Sequence, residues 1–453
     1  MHVADGKGGM VELRDQRFFS GDWPVRTKIS ADQADCWFRA LSAEIQSMGW
    51  SSGSLAQLDR NENSGSYTLR DSNSEKQISI AWSWKRNRSL QVKVRSIGPH
   101  ELSTNNLQEF IDATARRCDA GPQQSYYRVG QLTYDGLPWR GELWLKPHLR
   151  LGPPALQDET ALLGPRVIFV ETMTNAFDAM DATYVFNQQL RELSVFLSVV
   201  LGKAIQIPAT GRAWTLKIES DGSAVSEIRN LGYWEPWTRT SLPVPGLVQG
   251  VPAFAVTRPD FTKRGLEPTS TEQVVPDDVL DLLGRYSRLA PSLRQQFLKA
   301  ASKFQEALVH WAERGTLSFA LMVVACEALK PADRQFDKHN IYDVVESLLG
   351  SATSTRLKQD DIRAQIVRSE HLHVGEFKGL EFDTRALASP LRDPTFDEAR
   401  RVLFSVSRAT IIQWILSGGS ARLVPNRRPA KQNRTQPMRT IAKVRRRKHG
   451  RHR

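Results

Sequence analysis

Residues 316–329 read Thr-Leu-Ser-Phe-Ala-Leu-Met-Val-Val-Ala-Cys-Glu-Ala-Leu, and they decide the architecture of the C-terminal half of the chain. The stretch is apolar on nearly every side of a helix, and Glu327 is its single charge. The longest strongly apolar run within it, Phe319 to Cys326, is too short to cross a bilayer. A helix that is apolar all round and does not span a membrane lies at the centre of a bundle. The sequence therefore predicts a central helix here, with other helices packed around it.

Helical periodicity continues on both sides of this central helix. Apolar residues recur at three- and four-residue spacing before it, and Gly315 is predicted to end that preceding helix. The last helix has a capping box, in which Thr395 is followed three residues later by Glu398. Short loops between helices predict an all-helical bundle over residues 278–418. Its five main helices are predicted at about residues 293–311, 316–329, 341–349, 360–373 and 396–416.

The region before residue 240 mixes strands with helices. Ile78, Ile80 and Trp82 alternate with polar residues, and the alternation resumes at residues 90–94 after a polar turn, which predicts a β-hairpin. Helices are predicted at residues 31–48, 105–117 and 181–201, the last of them closed by Gly202. Further strands are predicted within residues 124–151 and at residues 166–171, 214–219 and 223–229.

These patterns predict a multidomain α+β protein, with a β-rich N-terminal region, an all-α bundle and a basic tail. We assign residues 1–160 to a mixed β/α region. A strand-helix-strand region, which can be continuous with the first, takes residues 161–240. A linker rich in proline and aromatic residues takes residues 241–277. The bundle then precedes a tail of residues 419–453, which we expect to be disordered because it has few apolar residues.

The positive charge of the chain is concentrated in this tail. Thirteen Lys and Arg and no Asp or Glu lie between Ala421 and Arg453, so this segment carries the whole net charge of +13. Such a run attracts phosphates without reading their sequence, which favours nucleic-acid binding. The alternatives are a solubilising extension and, less favoured in the absence of an amphipathic or lipidation signal, a membrane-surface role. The densest basic cluster is Arg445, Arg446, Arg447 and Lys448.

Several classes of site are missing from the sequence. Cys36, Cys118 and Cys326 are far apart and odd in number, with no disulfide framework or metal-ligand spacing. We find no signal peptide, Walker loop, dinucleotide fingerprint or nucleophile elbow. We therefore expect a cytoplasmic protein that uses no metal or cofactor and does not associate with membranes. Cys326 is expected to be a small buried residue of the central helix.

One stretch of the predicted fourth helix has the residues for chemistry on RNA. The sequence Ile366-Val-Arg-Ser-Glu-His-Leu-His-Val-Gly375 places a guanidinium and two imidazoles at the helix end. Cleavage of RNA without a metal needs a base for the 2′-hydroxyl, an acid for the leaving oxygen and a cation for the phosphate. Histidine transfers protons near neutral pH, and arginine binds phosphate oxygens through its planar fork. This set of groups therefore fits a ribonuclease.

Helix geometry leaves open which imidazole acts. Arg368 and His371 are three residues apart and share a helix face, whereas Arg368 and His373 are separated by about 140° around an ideal helix. Arg368 and His373 can converge if the last turn loosens at Gly375, or if a second subunit supplies one of the two groups. The alternative is structural, because arginine and histidine favour the negative end of the helix dipole.

The order Arg368, Ser369, His371 and His373, followed closely by Gly375, resembles the motif of HEPN domains, and most closely their ApeA-like branch. The earlier segment Ala325-Cys-Glu-Ala-Leu329 is similar to a second element of that branch. The resemblance covers about residues 290–417, and residues 190–202 are similar to a helix that accompanies such domains.

The resemblance implies a metal-independent endoribonuclease that acts on RNA as a homodimer, in phage defence or as a toxin, with the N-terminal region as a sensing domain. By this resemblance Arg368 would bind the scissile phosphate, and His373 would be the acid or base. Ser369 would position the phosphate or a water, and Glu327 would orient Arg368; His371 is the second candidate imidazole. Because active members commonly carry asparagine or another larger polar residue where this chain has Ser369, a non-catalytic RNA-binding or dimerisation module is the alternative. A regulatory interaction protein without nucleic acid is the third reading.

Overall fold

The structure is a computed structural model, and for the strands before residue 98 it describes the backbone path alone. The described residues are 2–4, 10–12, 23–24, 29–47, 50–59, 64–71, 77–84, 89–97, 104–139, 141–153, 161–163, 166–209, 212–230, 241–242, 255–256, 275–331, 333–359 and 394–423.

Helices and sheets are mixed in these residues, and apart from one short parallel pairing the sheets are antiparallel. This content confirms the expectation of an α+β protein. The chain divides into two compact units. The first comprises residues 1–258 and 266–283, and the second comprises residues 259–265 and 284–453.

The first unit starts with a short two-stranded ladder of β1 and β2. A six-stranded antiparallel sheet follows it in the chain. The predicted hairpin is confirmed, because β7 pairs with β8 in a register that places Ile80 opposite Val94. The strands are β1 (His2–Ala4), β2 (Met10–Glu12), β3 (Trp23–Pro24), β4 (Ile29–Ser30), β5 (Trp50–Asp59), β6 (Ser64–Asp71), β7 (Gln77–Trp84) and β8 (Ser89–Ile97). Two predicted helices are also confirmed, as α1 (Ala31–Ser47) and α2 (Thr104–Ala120).

A second antiparallel sheet in the same unit has the strand order β10-β11-β13-β9. It consists of β9 (Gln124–Tyr134), β10 (Leu143–Lys146), β11 (Leu149–Gly152) and β13 (Arg166–Ala176). The smaller pairings are made by β12 (Ala161–Leu163), β14 (Arg212–Ile218) and β15 (Ala224–Asn230), and by β16 (Ala255–Val256) with β17 (Val275–Pro276).

Helix α3 (Ala179–Leu201) packs against strands β9 and β13. Asp178 caps its first turn by accepting a hydrogen bond from the Asp181 amide, and Gly202 ends it with φ 64°, as the sequence predicted. The approach to β9 is close, because a β-carbon at Gly130 would lie 2.8 Å from the Phe186 ring. The glycine therefore lets the aromatic ring rest on the sheet.

The second unit is helical in its described residues. The apolar stretch at residues 316–329 lies at its centre, since α6 (Gly315–Glu327) packs against α5 (Pro291–Val309), α7 (Ile341–Leu349) and α9 (Pro394–Leu416). Phe319, Met322 and Cys326 are at most 1% exposed, which confirms the predicted central helix. Helix α4 crosses the division between the units. The helices are α4 (Val279–Arg288), α5 (Pro291–Val309), α6 (Gly315–Glu327), α7 (Ile341–Leu349), α8 (Ser351–Gln359) and α9 (Pro394–Leu416).

Two helix boundaries differ from the sequence prediction. Helix α5 ends at Val309, and Gly315 begins α6 instead of closing the helix before it. Steric crowding explains why position 315 is a glycine, because a β-carbon there would lie 2.7 Å from Nη1 of Arg400. Helix α8 was not predicted. Gly350, with φ 91°, redirects the chain before α8, and Leu357 is the single apolar core residue of that helix, too little to give a periodic pattern.

None of the helices in the described ranges combines the length and apolarity that a bilayer span requires. The predicted fourth helix, at residues 360–373, lies outside the described residues.

Candidate functional site

Most of the predicted site lies outside the described residues. This applies to Arg368, Ser369, His371 and His373, and to the basic cluster of residues 445–448. Their positions in the fold are therefore still sequence predictions. Glu327 is the one predicted site residue that the structure describes.

Glu327 is the last residue of the central helix and is half-buried. The chain leaves the helix in a tight turn, in which the Lys330 amide donates to the Glu327 carbonyl at 3.2 Å. A carboxylate at this end of a helix meets the negative end of the helix dipole, which disfavours it slightly. Helix stability therefore does not account for an acidic residue at this position.

The segment that follows Glu327 is fixed at both ends. The Gln296 side-chain amide of α5 donates to the Lys330 carbonyl, and Lys330 Nζ donates to the His339 carbonyl at 2.8 Å. At the other end Asn340 and Asp343 form a capping box at the start of α7. These contacts hold the exit of α6 against α5 and against the start of α7.

His339 belongs to this anchored segment. Its Nδ1 lies 3.3 Å from Oδ2 of Asp343, and its side chain is 14% exposed. Its ring also lies 6.0 Å from that of Phe336, between ring centroids. The histidine thus helps to hold the turn before α7 in place.

A second polar group lies at the opposite end of α6. Arg400 of α9 donates to the Trp311 carbonyl at 2.6 Å, stacks 4.3 Å above the Trp311 ring and pairs with Asp397 at 3.0 Å. Gly315 and Glu327 are separated by the length of the helix, about 18 Å at 1.5 Å per residue. Arg400 therefore organises the start of α6 and does not contact Glu327.

Cys326 fills the core between α6 and α9. It is fully buried, and burial raises the pKa of its thiol to about 12. A thiol in these surroundings stays protonated and is a poor nucleophile. The expectation that Cys326 is a small buried residue is confirmed.

The first unit contains a buried charged cluster that the sequence did not predict. Arg150 of β11 forms ion pairs with Glu171 of β13 and with Glu142, and all three side chains are at most 11% exposed. The Tyr127 hydroxyl donates to Glu171 at 2.5 Å. The one available signal was Glu171 itself, a charge within the apolar strand at residues 166–171. The cluster joins three strands of the second sheet.

Two cysteines that the sequence treated as separate are neighbours in the first unit. The sulfurs of Cys36 on α1 and Cys118 on α2 are 3.1 Å apart. All three cysteines are free thiols, and the proximity of these two could not be read from their spacing in the sequence. Neither the charged cluster nor the cysteine pair coincides with a predicted site residue.

Across the described ranges, no group of three or more His, Cys, Asp or Glu side chains is arranged to hold a metal ion. Comparisons with models of known protein families, with curated proteins and with solved structures found no match to this chain. The functional interpretation therefore depends on the residues themselves.

Proposed function

We propose that this chain is a metal-independent endoribonuclease of the HEPN type, which cuts RNA as a homodimer in a phage-defence or toxin setting. The observation that carries the proposal is the pairing of an Arg-Ser-x-His-x-His motif, at residues 368–373, with a helical bundle whose central helix ends in an acidic residue. The N-terminal unit would then sense the trigger for cleavage.

The proposed roles are those that the resemblance implies, and they suit the chemistry of each side chain. Arg368 binds the scissile phosphate and stabilises the charge that develops on it. His373 or His371 takes the proton of the 2′-hydroxyl, or protonates the leaving oxygen. Ser369 positions the phosphate or a water, and Glu327 orients the Arg368 guanidinium. In a homodimer, two copies of the motif would supply the acid and the base.

The basic tail would raise the local concentration of RNA. Its thirteen positive charges, with no acidic residue between them, attract phosphates through interactions that weaken as salt rises. The cluster Arg445, Arg446, Arg447 and Lys448 is its densest part. This contribution is independent of RNA sequence, so the choice of cleavage site would come from the folded units.

The test is incubation of the purified full-length protein with total RNA, with and without a chelator. We expect cleavage that survives the chelator and is lost in Arg368→Ala and in His373→Ala. Comparing His371→Ala with His373→Ala identifies the imidazole that acts. The matched controls are Arg401→Ala and His148→Ala, at exposed positions outside the motif, which should cut like the unaltered protein. Cleavage that is retained in Arg368→Ala would contradict the proposal.

A non-catalytic RNA-binding or dimerisation module is the second candidate. Ser369 favours it, because active members of the resembled family commonly have a larger polar residue there. Intact RNA together with salt-sensitive binding would support this module. Deleting residues 421–453 then locates the binding, because binding that disappears with the tail does not belong to the bundle.

A further inference from the structure

Two cysteines on different helices of the first unit lie close together. Sγ of Cys36 on α1 lies 3.1 Å from Sγ of Cys118 on α2, and 3.7 Å from the Cys118 carbonyl oxygen. A disulfide bond is about 2.05 Å long, so the two sulfurs must approach by about 1 Å to bond. Side-chain adjustment can supply a movement of this size without moving either helix.

An apolar cluster and an ion pair hold α1 and α2 together near the two cysteines. The two cysteines pack against Ala40, Ala43 and Phe177, which are all buried. Glu44 of α1 forms an ion pair with Arg117 of α2, at 3.0 Å from Nη2. The proximity of the sulfurs is therefore built into the packing of the two helices.

Both thiols are half-buried, unlike Cys326, which is fully buried. A small oxidant in solvent can reach a half-buried sulfur, whereas Cys326 is enclosed by α6 and α9. Cys326 therefore serves as an internal control for any oxidation of the pair.

We propose that Cys36 and Cys118 are an oxidative modification site, where hydrogen peroxide converts the two thiols into an intramolecular disulfide that joins α1 to α2. Two thiols and one peroxide give one disulfide and two molecules of water. The peroxide O–O bond is reduced by two electrons, and each sulfur is oxidised by one. This inference is independent of the ribonuclease proposal.

The reaction proceeds in two steps that use the thiols differently. Burial and, after it, the hydrogen bond with Cys36 raise the pKa of Cys118 to about 12, so Cys118 is the weaker of the two nucleophiles toward peroxide. Cys36 is then the sulfur that attacks the peroxide, becoming a sulfenic acid and releasing hydroxide. The Cys118 sulfur attacks the sulfenic sulfur, and its proton leaves with the displaced hydroxide as water.

The test treats the folded full-length protein with equimolar peroxide, alkylates it under denaturing conditions and maps its peptides without reduction. We expect a peptide containing Cys36 to be linked to one containing Cys118, with a mass about 2 Da below the sum of the free peptides. Cys326 should be alkylated. Complete alkylation of Cys36 and Cys118, or a link between two chains, would overturn the proposal.

Two variants test the order of the steps. In Cys118→Ser a sulfenic acid should accumulate at Cys36 and react with dimedone, while in Cys36→Ser the Cys118 thiol should remain unoxidised. The reverse pattern would overturn the assignment of Cys36 as the attacking sulfur. If either variant fails to fold, the peptide map of the unaltered protein still tests whether the disulfide forms.

The melting temperature gives a second readout on the oxidised protein. A link between residues 82 positions apart restricts the unfolded chain, so cross-linking should raise the melting temperature, and a dithiol reductant should reverse the rise. A cross-linked protein whose melting temperature stays the same or falls would contradict the inference that the fold positions the two thiols for bonding.

Discussion

The guanidinium of Arg39 on α1 donates two hydrogen bonds to the carboxylate of Asp181 on α3, from Nε at 2.7 Å and from Nη2 at 3.0 Å. The Asp181 carboxylate is 2% exposed and also accepts the Phe177 amide at 2.9 Å. The hydrogen bonds with Asp181 raise the pKa of Arg39, so its guanidinium stays charged. A buried ion pair thus joins the helix that carries Cys36 to the helix that covers the second sheet.

Arg39→Ala should destabilise the first unit, because it leaves the Asp181 carboxylate buried without its cation. Breaking a buried ion pair costs about 3–5 kcal/mol. Since Arg39 is 19% exposed and Asp181 keeps its bond from Phe177, we expect a loss of about 2 kcal/mol. Urea unfolding measures this loss. Arg116→Ala, which removes an exposed arginine of α2, should change stability by less than about 0.5 kcal/mol. Equal effects of the two substitutions would show that the ion pair contributes nothing.

The contrast between this ion pair and the central helix shows what the sequence could predict. The apolar stretch at residues 316–329 has its signal within fourteen consecutive residues, and the structure confirms it as the centre of the bundle. Arg39 and Asp181 are 142 positions apart, and Cys36 and Cys118 are 82 apart. Periodicity reports which face of an element is buried, but it does not report which distant side chain meets that face.

The same limit applies to the candidate site. The pattern that predicted the central helix also placed Glu327 near its end, as observed. The sequence prediction assigned Gly315 to the wrong helix. A glycine is needed there because the Arg400 side chain, from a distant part of the chain, leaves no room for a β-carbon. Which groups converge around Arg368 is a question of the same kind, since a motif gives the order of side chains and not their partners.

Gly315→Ala should destabilise the bundle because the new methyl group would lie 2.7 Å from Nη1 of Arg400. That guanidinium cannot move easily, since it is buried and bonded to the Trp311 carbonyl and to Asp397. Overpacking of this kind costs about 1–3 kcal/mol. Thermal and urea unfolding should both register the loss.

Gly284→Ala is the matched control for this substitution. Glycine 284 lies within α4, and the nearest atoms to an added β-carbon there are 4.0 Å away, so alanine should stabilise the helix by up to about 1 kcal/mol. In addition, the cost of combining Gly315→Ala with Arg400→Ala should fall short of the sum of the single costs. Additive costs would mean that the two residues do not oppose each other in space.

The buried Cys326 thiol should make the stability of the second unit fall in alkali. Its pKa in the folded protein, about 12, is above the ordinary value of 9.0, so the folded state binds this proton more tightly than the unfolded state does. The resulting stability is complete below pH 9 and is lost as pH rises toward 12. At a pH about 1.5 units above the ordinary value the loss should be about 2 kcal/mol.

Urea unfolding near pH 8 and near pH 10.5 measures this loss, with Cys326→Ala as the reference. The variant should be less stable than the unaltered protein near pH 8, the lower of the two pH values, because it leaves a small cavity. Its stability should nevertheless fall less between them. The titration of Cys118 and of the lysines and tyrosines occurs in both proteins and cancels in the comparison. Parallel decreases in the two proteins would show that Cys326 does not cause the alkaline instability.

Glu327→Gln should lower RNA cleavage without unfolding the bundle. Glutamine keeps the size of the half-buried side chain and removes the charge that, on the ribonuclease proposal, orients Arg368. Because a misplaced catalytic group costs on the order of 10- to 100-fold in rate, we expect kcat to fall by about that factor while KM changes little. The melting temperature of the variant shows whether the bundle stays folded. Glu313→Gln, at an exposed position just before α6, should cut at the normal rate. If Glu327→Gln and Glu313→Gln cleave equally well while Arg368→Ala does not cleave, Glu327 has no part in positioning the arginine.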